Sequence, residues 1–368
     1  MSMFYRMLFI LLVLFFNKCD FFHLGKYNLG KRISKLHMKY KYGKEYYQYY
    51  RNYKSPLLQS PVDVYHFVKA NEKQYFLYEK NKELIDNTNS LLENKNATFQ
   101  LDINEFADEI DFDIIESQNI MLNKIKPPPV SGKNYKKIVN DPFNYIGDSM
   151  EPKRKGFSWN NTNFLSPVKN QGRCGSCWAF ATTTSIETFM RKKNFTIERL
   201  SEQELVDCSE KNYGCNGGIM HEAMNYIIEK EGLATDEEYP YNASNSACKI
   251  NTTRAFGSNI TEYMFTIPKS IFDLKYSVQQ NPVTIAIDAN NVFFRFYKSG
   301  IIDVPRNESQ ELNHAVLLVG YDYDEKGLYW IIQNSWGKQW GMDGFCKVRA
   351  KENEGVLLSH LYGVYPSK

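Results

Sequence analysis

The sequence has few histidines and no large excess of charge of either sign. Six histidines occur in 368 residues, and 45 basic against 42 acidic side chains leave a formal net charge of +3. Global charge therefore indicates no nucleic-acid partner, since such proteins usually concentrate basic side chains. Cysteine and histidine pairs at the short spacing of a zinc site are also missing, so we expect neither a metal nor another cofactor.

The N-terminus lacks an apolar run of the roughly 20 residues that an ordinary membrane-spanning helix needs. Its apolar stretch covers only residues 7–16 and follows Arg6, which predicts a secretory signal peptide. Small residues suited to cleavage are missing around Cys19, so an uncleaved anchor in residues 1–22, or an apolar strand, is the alternative. We expect the protein in the secretory pathway, in a lysosome-like compartment or outside the cell, with no other membrane contact.

Three further regions follow along the chain. Residues 26–54 are basic and rich in tyrosine, which we interpret as part of a solvated precursor extension at 23–60 rather than a nucleic-acid patch. Residues 61–150 form the next region. Its apolar residues recur at threes and fours from about Val62 to Asn89 and predict helix, and a short strand is predicted from Phe99. The prolines at 127–129 predict a stiff linker, and the basic segment 147–156 predicts a cleavage point before a last domain at 151–368.

The last domain contains a helical part followed by a strand-rich part. A helix is predicted over Ser176–Lys192, although its three successive threonines are weak helix formers that packing must hold. Strands are predicted at residues 282–287, 315–319, 329–332 and 344–349. This order predicts an α+β fold of two subdomains with a cleft between them.

The stretch Gln-Gly-Arg-Cys-Gly-Ser-Cys-Trp-Ala-Phe at residues 171–180 carries the strongest chemical signal. A free thiol has a pKa near 8.5. A thiolate forms more readily at a helix N-terminus beside a histidinium, and Cys177 stands at the predicted start of a helix. Cys174 and Cys177 also have the C-x-x-C spacing of a redox protein, but the βαβ setting of such motifs is missing. A catalytically silent binding protein is the remaining alternative.

Residues from about Gly156 to Pro366 resemble the papain family of cysteine peptidases, in particular the cathepsin L-like members with an inhibitory prodomain. The resemblance rests on the stretch around Cys177, on residues 312–321 around His314, and on Gln-Asn-Ser-Trp-Gly around Asn334. Residues 312–321 are most similar to the viral cathepsins of insect viruses. The family's fold implies a helical left half and a β-barrel-like right half, preceded by a mainly helical prodomain.

The resemblance implies a role for each matched residue. Cys177 would be the nucleophile, His314 the base, and Asn334 the amide that orients the histidine. Gln171 would be the side-chain donor of the oxyanion hole, with the backbone N–H of Cys177 as the second donor. Trp336 would shield the His–Asn hydrogen bond from water.

The resemblance also implies the substrate cleft and the disulfides. Gly217 and Gly218 would let a peptide backbone approach. The implied substrate-binding residues are Gly217, Gly218, Met220, Ala286, Leu312, Asn313, Trp336 and Tyr362, among which Met220, Ala286, Leu312 and Tyr362 would form a hydrophobic S2 pocket. Composition alone allows three pairings of four cysteines. The resemblance implies Cys174–Cys215 and Cys208–Cys248, with Cys346 unpaired.

These inferences predict a secreted cysteine endopeptidase made as a zymogen. Its partners would be protein and peptide substrates and its own prodomain, with acid triggering removal of that prodomain, and host or tissue proteins as targets. We expect a monomer. The prodomain resemblance rests on Asn81, Ile85, Asn89, Asn104, Phe106 and Asp108. A secretory route would make the sequons usable, and they lie at Asn96, Asn160, Asn194, Asn242, Asn251, Asn259 and Asn307.

Overall fold

The computed structural model describes residues 42–55, 64–109, 155–196, 198–249, 252–267, 270–304, 312–350 and 363–368. The signal segment, the proline linker, the cleavage segment up to residue 154, and Tyr362 therefore lie outside the described residues. The chain divides into two compact units, Met1–Glu79 and Lys80–Lys368. No described helix is long and apolar enough to cross a membrane.

The described residues of the first unit form helices around a tyrosine core. Helix α1 covers residues 42–53 and α2 covers Val64–Ala70. Helix α3 covers Glu72–Asn94 and begins in this unit. Tyr46 is fully buried, with its ring 5.7 Å from that of Phe67, 5.4 Å from Tyr75 and 5.2 Å from Tyr78. The prediction of a solvated extension is therefore wrong for residues 42–53, because the tyrosines there recur at helical spacing and pack inward.

The second unit begins within α3 and continues into a short strand, β1 (Phe99–Leu101). Two asparagines of α3 hold the segment that follows it. The Asn89 side chain donates to the carbonyl of Leu101 at 2.8 Å and accepts from its N–H at 2.9 Å, while the Asn81 amide donates to the carbonyl of Ala107 at 2.9 Å. The loop at 102–109 is thereby fixed against the helix.

Four longer helices and one short one follow among the described residues. They are α4 (Cys177–Lys192), α5 (Glu202–Cys208), α6 (Met220–Glu229), α7 (Ile271–Gln280) and α8 (Val292–Arg295). Helix α4 is buried from Cys177 to Met190. Its threonines are held by hydrogen bonds as well as packing, since Thr182 donates to the carbonyl of Trp178 at 2.8 Å and Thr183 donates to Glu202 at 2.6 Å.

The strands form one nine-stranded sheet with an open path. Besides β1 they are β2 (Phe157–Ser158), β3 (Tyr263–Phe265), β4 (Val283–Ile287), β5 (Tyr297–Ile302), β6 (His314–Asp324), β7 (Gly327–Gln333), β8 (Phe345–Arg349) and β9 (Val364–Pro366). Their order is β1-β5-β8-β7-β6-β4-β9-β3, with β2 also paired to β6. The long strand β6 is central, so it can hold its first residue firmly.

A buried ionic cluster joins α4 to α5. The Lys169 ammonium lies 2.7 Å from a Glu187 carboxylate oxygen and 2.5 Å from one of Glu202, and all three side chains are almost fully excluded from solvent. Burial works to lower the pKa of Lys169, but the two facing carboxylates raise it, so the ammonium stays charged. Burial raises the pKa of Glu202. Three elements of the chain therefore meet at one ammonium.

Two disulfides lie on the helical side. Cys174 is bonded to Cys215, and Cys208 is bonded to Cys248. Cys177 and Cys346 are free and buried. Among the described residues, the strands that follow residue 280 therefore contain no disulfide.

Candidate active site

Cys177 is the first residue of α4 and points toward the sheet. Its thiol is only 3% exposed, and the backbone N–H of Ala315 donates to its sulfur at 3.3 Å. The N–H groups of a helix's first turn have no acceptor within the helix, and their partial positive charge favours an anion there. The fold thus brings the start of α4 against the start of β6.

His314 begins β6 and bonds to a side chain from the segment after β7. Its Nε2 lies 2.8 Å from Asn334 Oδ1, which also accepts the N–H of Ser335 at 2.8 Å. Because Oδ1 is an acceptor, Nε2 carries the proton in the neutral ring and Nδ1 bears the lone pair. That Nδ1 is buried with no hydrogen-bond partner among the described residues. It is therefore available to accept a proton from within the site.

Burial acts on the ionisation of both groups. It raises the pKa of the Cys177 thiol to about 11, although backbone N–H groups of Ala315, Trp178 and Cys177 itself oppose the shift. Burial likewise lowers the pKa of His314 to about 4, although the hydrogen bond that the ring donates to Asn334 opposes the shift. The arrangement favours either two neutral groups or a thiolate–imidazolium pair, in which each charge compensates the other.

Gln171 is 1% exposed and is fixed at both ends of its side chain. Its Nε2 donates to the carbonyl of Cys174 at 2.8 Å, and its Oε1 accepts from the Ser335 hydroxyl at 2.7 Å. An amide nitrogen has two protons, so one remains for another acceptor. Its backbone N–H also donates to the carbonyl of Ser335 at 2.8 Å. The structure therefore joins Gln171 to the segment that carries Asn334.

Trp336 covers the histidine. Its ring centroid lies 4.7 Å from that of His314, at 30° between the ring planes. Phe106, from the segment after β1, packs edge-on against the same indole at 4.7 Å. The Arg295 guanidinium lies 5.2 Å from the centroid of the Phe106 ring. The segment at 99–109 therefore reaches the immediate surroundings of the site.

At each of the two glycines of the predicted cleft, the backbone conformation or the packing itself requires glycine. Gly217 has φ = 108°, a region that side chains rarely adopt. A Cβ on Gly218 would lie 2.6 Å from the Trp178 ring and 2.7 Å from Asn212 Oδ1. Their role toward a substrate stays a prediction, since these contacts alone require glycine.

The apolar residues predicted to form a pocket share one cluster. Met220 and Ala286 are buried in the core around α4, and Leu312 packs against it half-buried. Tyr362 lies outside the described residues. Asn313 is buried, and its side chain binds the chain after β4, donating to Asp288 at 3.0 Å and accepting from the N–H of Ala289 at 2.9 Å. Its backbone N–H donates to the carbonyl of Ile287 at 3.0 Å, so only the backbone carbonyl of Asn313 remains for a substrate.

The redox alternative raised by the cysteines does not fit this geometry. A redox C-x-x-C site would pair Cys174 with Cys177, but Cys174 is bonded to Cys215 and Cys177 is free. Within the described ranges, no group of three or more His, Cys, Asp or Glu side chains could hold a metal. Cys177 is thus the free thiol that lies beside a histidine.

Two residues of the site, Ser335 and Tyr241, were not predicted from the sequence. Ser335 binds Gln171, and it could have been noticed because it follows Asn334 directly. Tyr241 bonds through its hydroxyl to the carbonyl of Gln171 at 2.7 Å and to the Ser176 hydroxyl at 2.6 Å. No local pattern marks Tyr241, because its partners lie far away in the chain.

Comparison with known families gives a direct assignment. The family described as papain family cysteine protease matches residues 154–363, more than half of the chain. The chain therefore belongs to the papain family of cysteine proteases.

Curated relatives and solved structures show which members of the family this chain resembles. Rat (Rattus norvegicus) procathepsin L is 35% identical over 303 residues, covering 79% of this chain and 85% of its own length. A cathepsin L-like protein of Caenorhabditis elegans is 36% identical over 312 residues, covering 79% and 86%. The digestive procathepsin L 3 of the Tenebrio molitor larval midgut superposes with a TM-score of 0.71 at 28% identity, covering 89% and 99%.

Together these similarities define a cathepsin L-like cysteine protease in its zymogen form. They confirm the predicted family and the predicted papain-like fold with a propeptide. The similarity of residues 312–321 to viral cathepsins stays a prediction.

Proposed function

We propose that the protein is a cysteine endopeptidase in which Cys177 attacks the peptide carbonyl and His314 moves the proton. The hydrogen bond from His314 to Asn334 carries this proposal, because it leaves Nδ1 as the proton acceptor beside the α4 N-terminus. The neutral Asn334 amide orients the ring without a negative charge. His314 would then return the proton to the leaving amine.

The tetrahedral intermediate needs donors for its oxyanion. We assign this role to the Gln171 side chain, which has one amide proton beyond its bond to Cys174, and to the Cys177 backbone N–H at the helix start. Water then hydrolyses the acyl-enzyme, and the same donors act on the second intermediate. No cofactor takes part in these steps.

The test is a pair of matched cysteine substitutions. Cys177→Ala is expected to abolish peptide cleavage in a folded protein, because it removes the nucleophile. Cys346→Ala alters the other free buried cysteine of the described residues and should retain turnover. Cleavage of a peptide substrate and labelling by an epoxide thiol inhibitor, located by mass spectrometry, measure both. Normal turnover by purified Cys177→Ala would exclude the assignment.

The segment at 99–109 is proposed to act as part of an inhibitory prodomain. Its backbone pairs with β5, the Asn104 amide donates to the carbonyl of Arg295 at 2.7 Å, and Phe106 packs on Trp336. These contacts support docking beside the histidine. Residues 110–150 of the predicted prodomain lie outside the described residues.

Truncating the aromatic anchor tests this role. In the precursor, Phe106→Ala should speed alkylation of Cys177 at neutral pH, because the docked segment loses its contact with Trp336. Phe76→Ala is the control, since that ring is 65% exposed. Equal alkylation rates in the two variants and the unaltered precursor would contradict a shielding role for Phe106.

Acid is the proposed trigger for release. Two carboxylates of the segment face basic groups, with Asp102 3.6 Å from Lys298 and Glu109 3.4 Å from Arg173. Protonation of a carboxylate removes its attraction to a facing cation, so loss of these two pairs would weaken docking in acid. We expect a fragment that starts between Gly147 and Phe157 to appear at acidic but not at neutral pH.

Substrate choice and destination complete the proposal. Met220 and Ala286 share a buried apolar cluster with Cys177, and Leu312 packs against it, which supports a hydrophobic side chain at S2. Secretion to a lysosome-like or extracellular compartment agrees with the two disulfides, which persist in oxidising environments. Protein breakdown in such a compartment is the expected role, by a monomeric enzyme.

A further inference from the structure

A hydroxyl chain connects the residue before the nucleophile to the backbone of the proposed oxyanion donor. The Tyr241 hydroxyl lies 2.6 Å from Ser176 Oγ and 2.7 Å from the carbonyl oxygen of Gln171. Ser176 is fully buried and precedes Cys177. The Tyr241 ring packs edge-on against Phe180 of α4, with centroids 4.8 Å apart and an interplanar angle of 90°.

The proton directions in this chain are determined by the groups themselves. The carbonyl of Gln171 can only accept, so the single phenolic proton of Tyr241 is donated to it. The Ser176 hydroxyl then donates to the Tyr241 oxygen. Burial raises the pKa of Tyr241 to about 12, so the phenol keeps its proton over the range in which a protease works.

Tyr241 thereby completes the restraint on Gln171. The backbone N–H and the side-chain oxygen of Gln171 bind Ser335, and its side-chain nitrogen binds the carbonyl of Cys174. The remaining polar group, the backbone carbonyl, receives its hydrogen bond from Tyr241. Through Ser176 the same phenol is tied to the start of α4, where the second oxyanion donor is located.

We propose that Tyr241 is a positioning residue that sets the separation between the Gln171 amide and the Cys177 N–H for the oxyanion of the transition state. The inference rests on the proposed function. It assigns Tyr241 no contact with substrate. Donor geometry matters here because a transition-state hydrogen bond weakens steeply when its length and angle depart from their optimum.

The test compares two tyrosines of one loop. Tyr241→Phe removes the hydroxyl and keeps the ring against Phe180. Tyr239→Phe is the control, because its hydroxyl donates to Asp207 at 2.8 Å and has no bond to Gln171 or Ser176. With enzyme concentrations fixed by active-site titration, we expect Tyr241→Phe to lower kcat about tenfold with little change in KM, a fraction of the roughly 10²–10³-fold loss of a whole oxyanion donor. Tyr239→Phe should leave kcat unchanged even where it lowers the melting temperature.

Two further measurements separate positioning from a general structural effect. Added to Gln171→Ala, Tyr241→Phe should reduce kcat by less than about twofold, since residues that act as one unit are not additive. Alkylation of Cys177 by iodoacetamide forms no oxyanion, so its rate should match that of the unaltered enzyme. A full tenfold loss in the Gln171→Ala background, or a parallel loss in alkylation, would overturn the inference.

Failure of the proposed function gives a different result. Turnover by Cys177→Ala, or full activity of Gln171→Ala, would remove the oxyanion site on which Tyr241 is inferred to act. A dead Cys177→Ala, an impaired Gln171→Ala and a fully active Tyr241→Phe would overturn the role of Tyr241 alone.

Discussion

The two sides of the site are held by different kinds of interaction. Cys177 lies on the helical side, where disulfides close the chain at Cys174–Cys215 and Cys208–Cys248. His314 lies on the strand side, where β6 is paired along its length with β4 and β7 and no described residue forms a disulfide. The nucleophile's surroundings therefore depend on an oxidising compartment, whereas those of the base depend on strand pairing and core packing. Added reductant should therefore lower the stability of the helical side and leave that of the strand side unchanged.

The largest expected effect on stability is a cavity in the strand side. Trp330 of β7 is 2% exposed, and Trp330→Ala should lower the free energy of unfolding by about 3–5 kcal/mol, as large-to-small core substitutions do. Urea unfolding with and without reductant measures it. The decrease should be the same in both conditions, because no described disulfide lies on this side. A decrease that disappears in reductant would contradict the comparison.

Opening one disulfide is expected to have a somewhat smaller effect on the helical side. Cys208→Ser removes the bridge to Cys248, which closes a sequence separation of 40 residues. Loss of such a bridge costs about 2–5 kcal/mol. Here the difference from the unaltered protein should vanish when both are unfolded in reductant. A reductant-independent loss would show that packing around Cys208, rather than the bond, stabilises this side.

The smallest effect is a pH dependence on the strand side. Arg349 donates to both carboxylate oxygens of Asp324 at 2.7 Å, and these bonds hold the pKa of that carboxyl below its usual value. A depressed folded pKa contributes stability above the unfolded value, near 3.9, that is lost as pH falls through the folded pKa. Asp324→Asn should therefore flatten the dependence of unfolding free energy on pH below about 4. An unchanged slope would remove Asp324 from this account.

Helix α4 and four of the strands could be predicted from the sequence. Helix α4 was expected over Ser176–Lys192 and is found over Cys177–Lys192, and the four expected strands all exist with ends shifted by a few residues. The apolar runs of these strands are long because the core surrounds them. Strand β5 was missed, since its Lys-Ser-Gly centre at residues 298–300 has neither alternation nor β-branched residues.

Helix α5 was missed for a different reason. It opens with Glu202, Gln203 and Glu204, which are buried, so no apolar stripe is visible in the sequence. The usable signal was the Ser-x-x-Glu spacing from Ser201 to Glu204, since the Ser201 hydroxyl accepts the N–H of Glu204 at 2.9 Å.

The residues of the candidate site that lie in sequence motifs could be predicted from the sequence. Cys177, His314, Asn334 and Gln171 are brought together, and each lies in a stretch that can be recognised by itself. Tyr241 could not be found in this way, because its meaning comes from a contact with Gln171 across 70 positions of the chain. Long-range hydrogen bonds of this kind leave no periodicity in the sequence.

The buried cluster of Lys169, Glu187 and Glu202 constrains how this chain can change over evolutionary time. Its two carboxylates and the ammonium that they share come from three separate elements of the chain. Replacing Lys169 leaves the two carboxylates without a cation in the interior, at a cost of about 3–5 kcal/mol, which is a large part of the stability of an ordinary domain, whereas loss of one glutamate leaves the other paired with the ammonium. An apolar replacement of the whole cluster could be neutral, but only if the changes arrive together. Single substitution of Lys169 is therefore blocked, and descendants that keep either glutamate should keep Lys169.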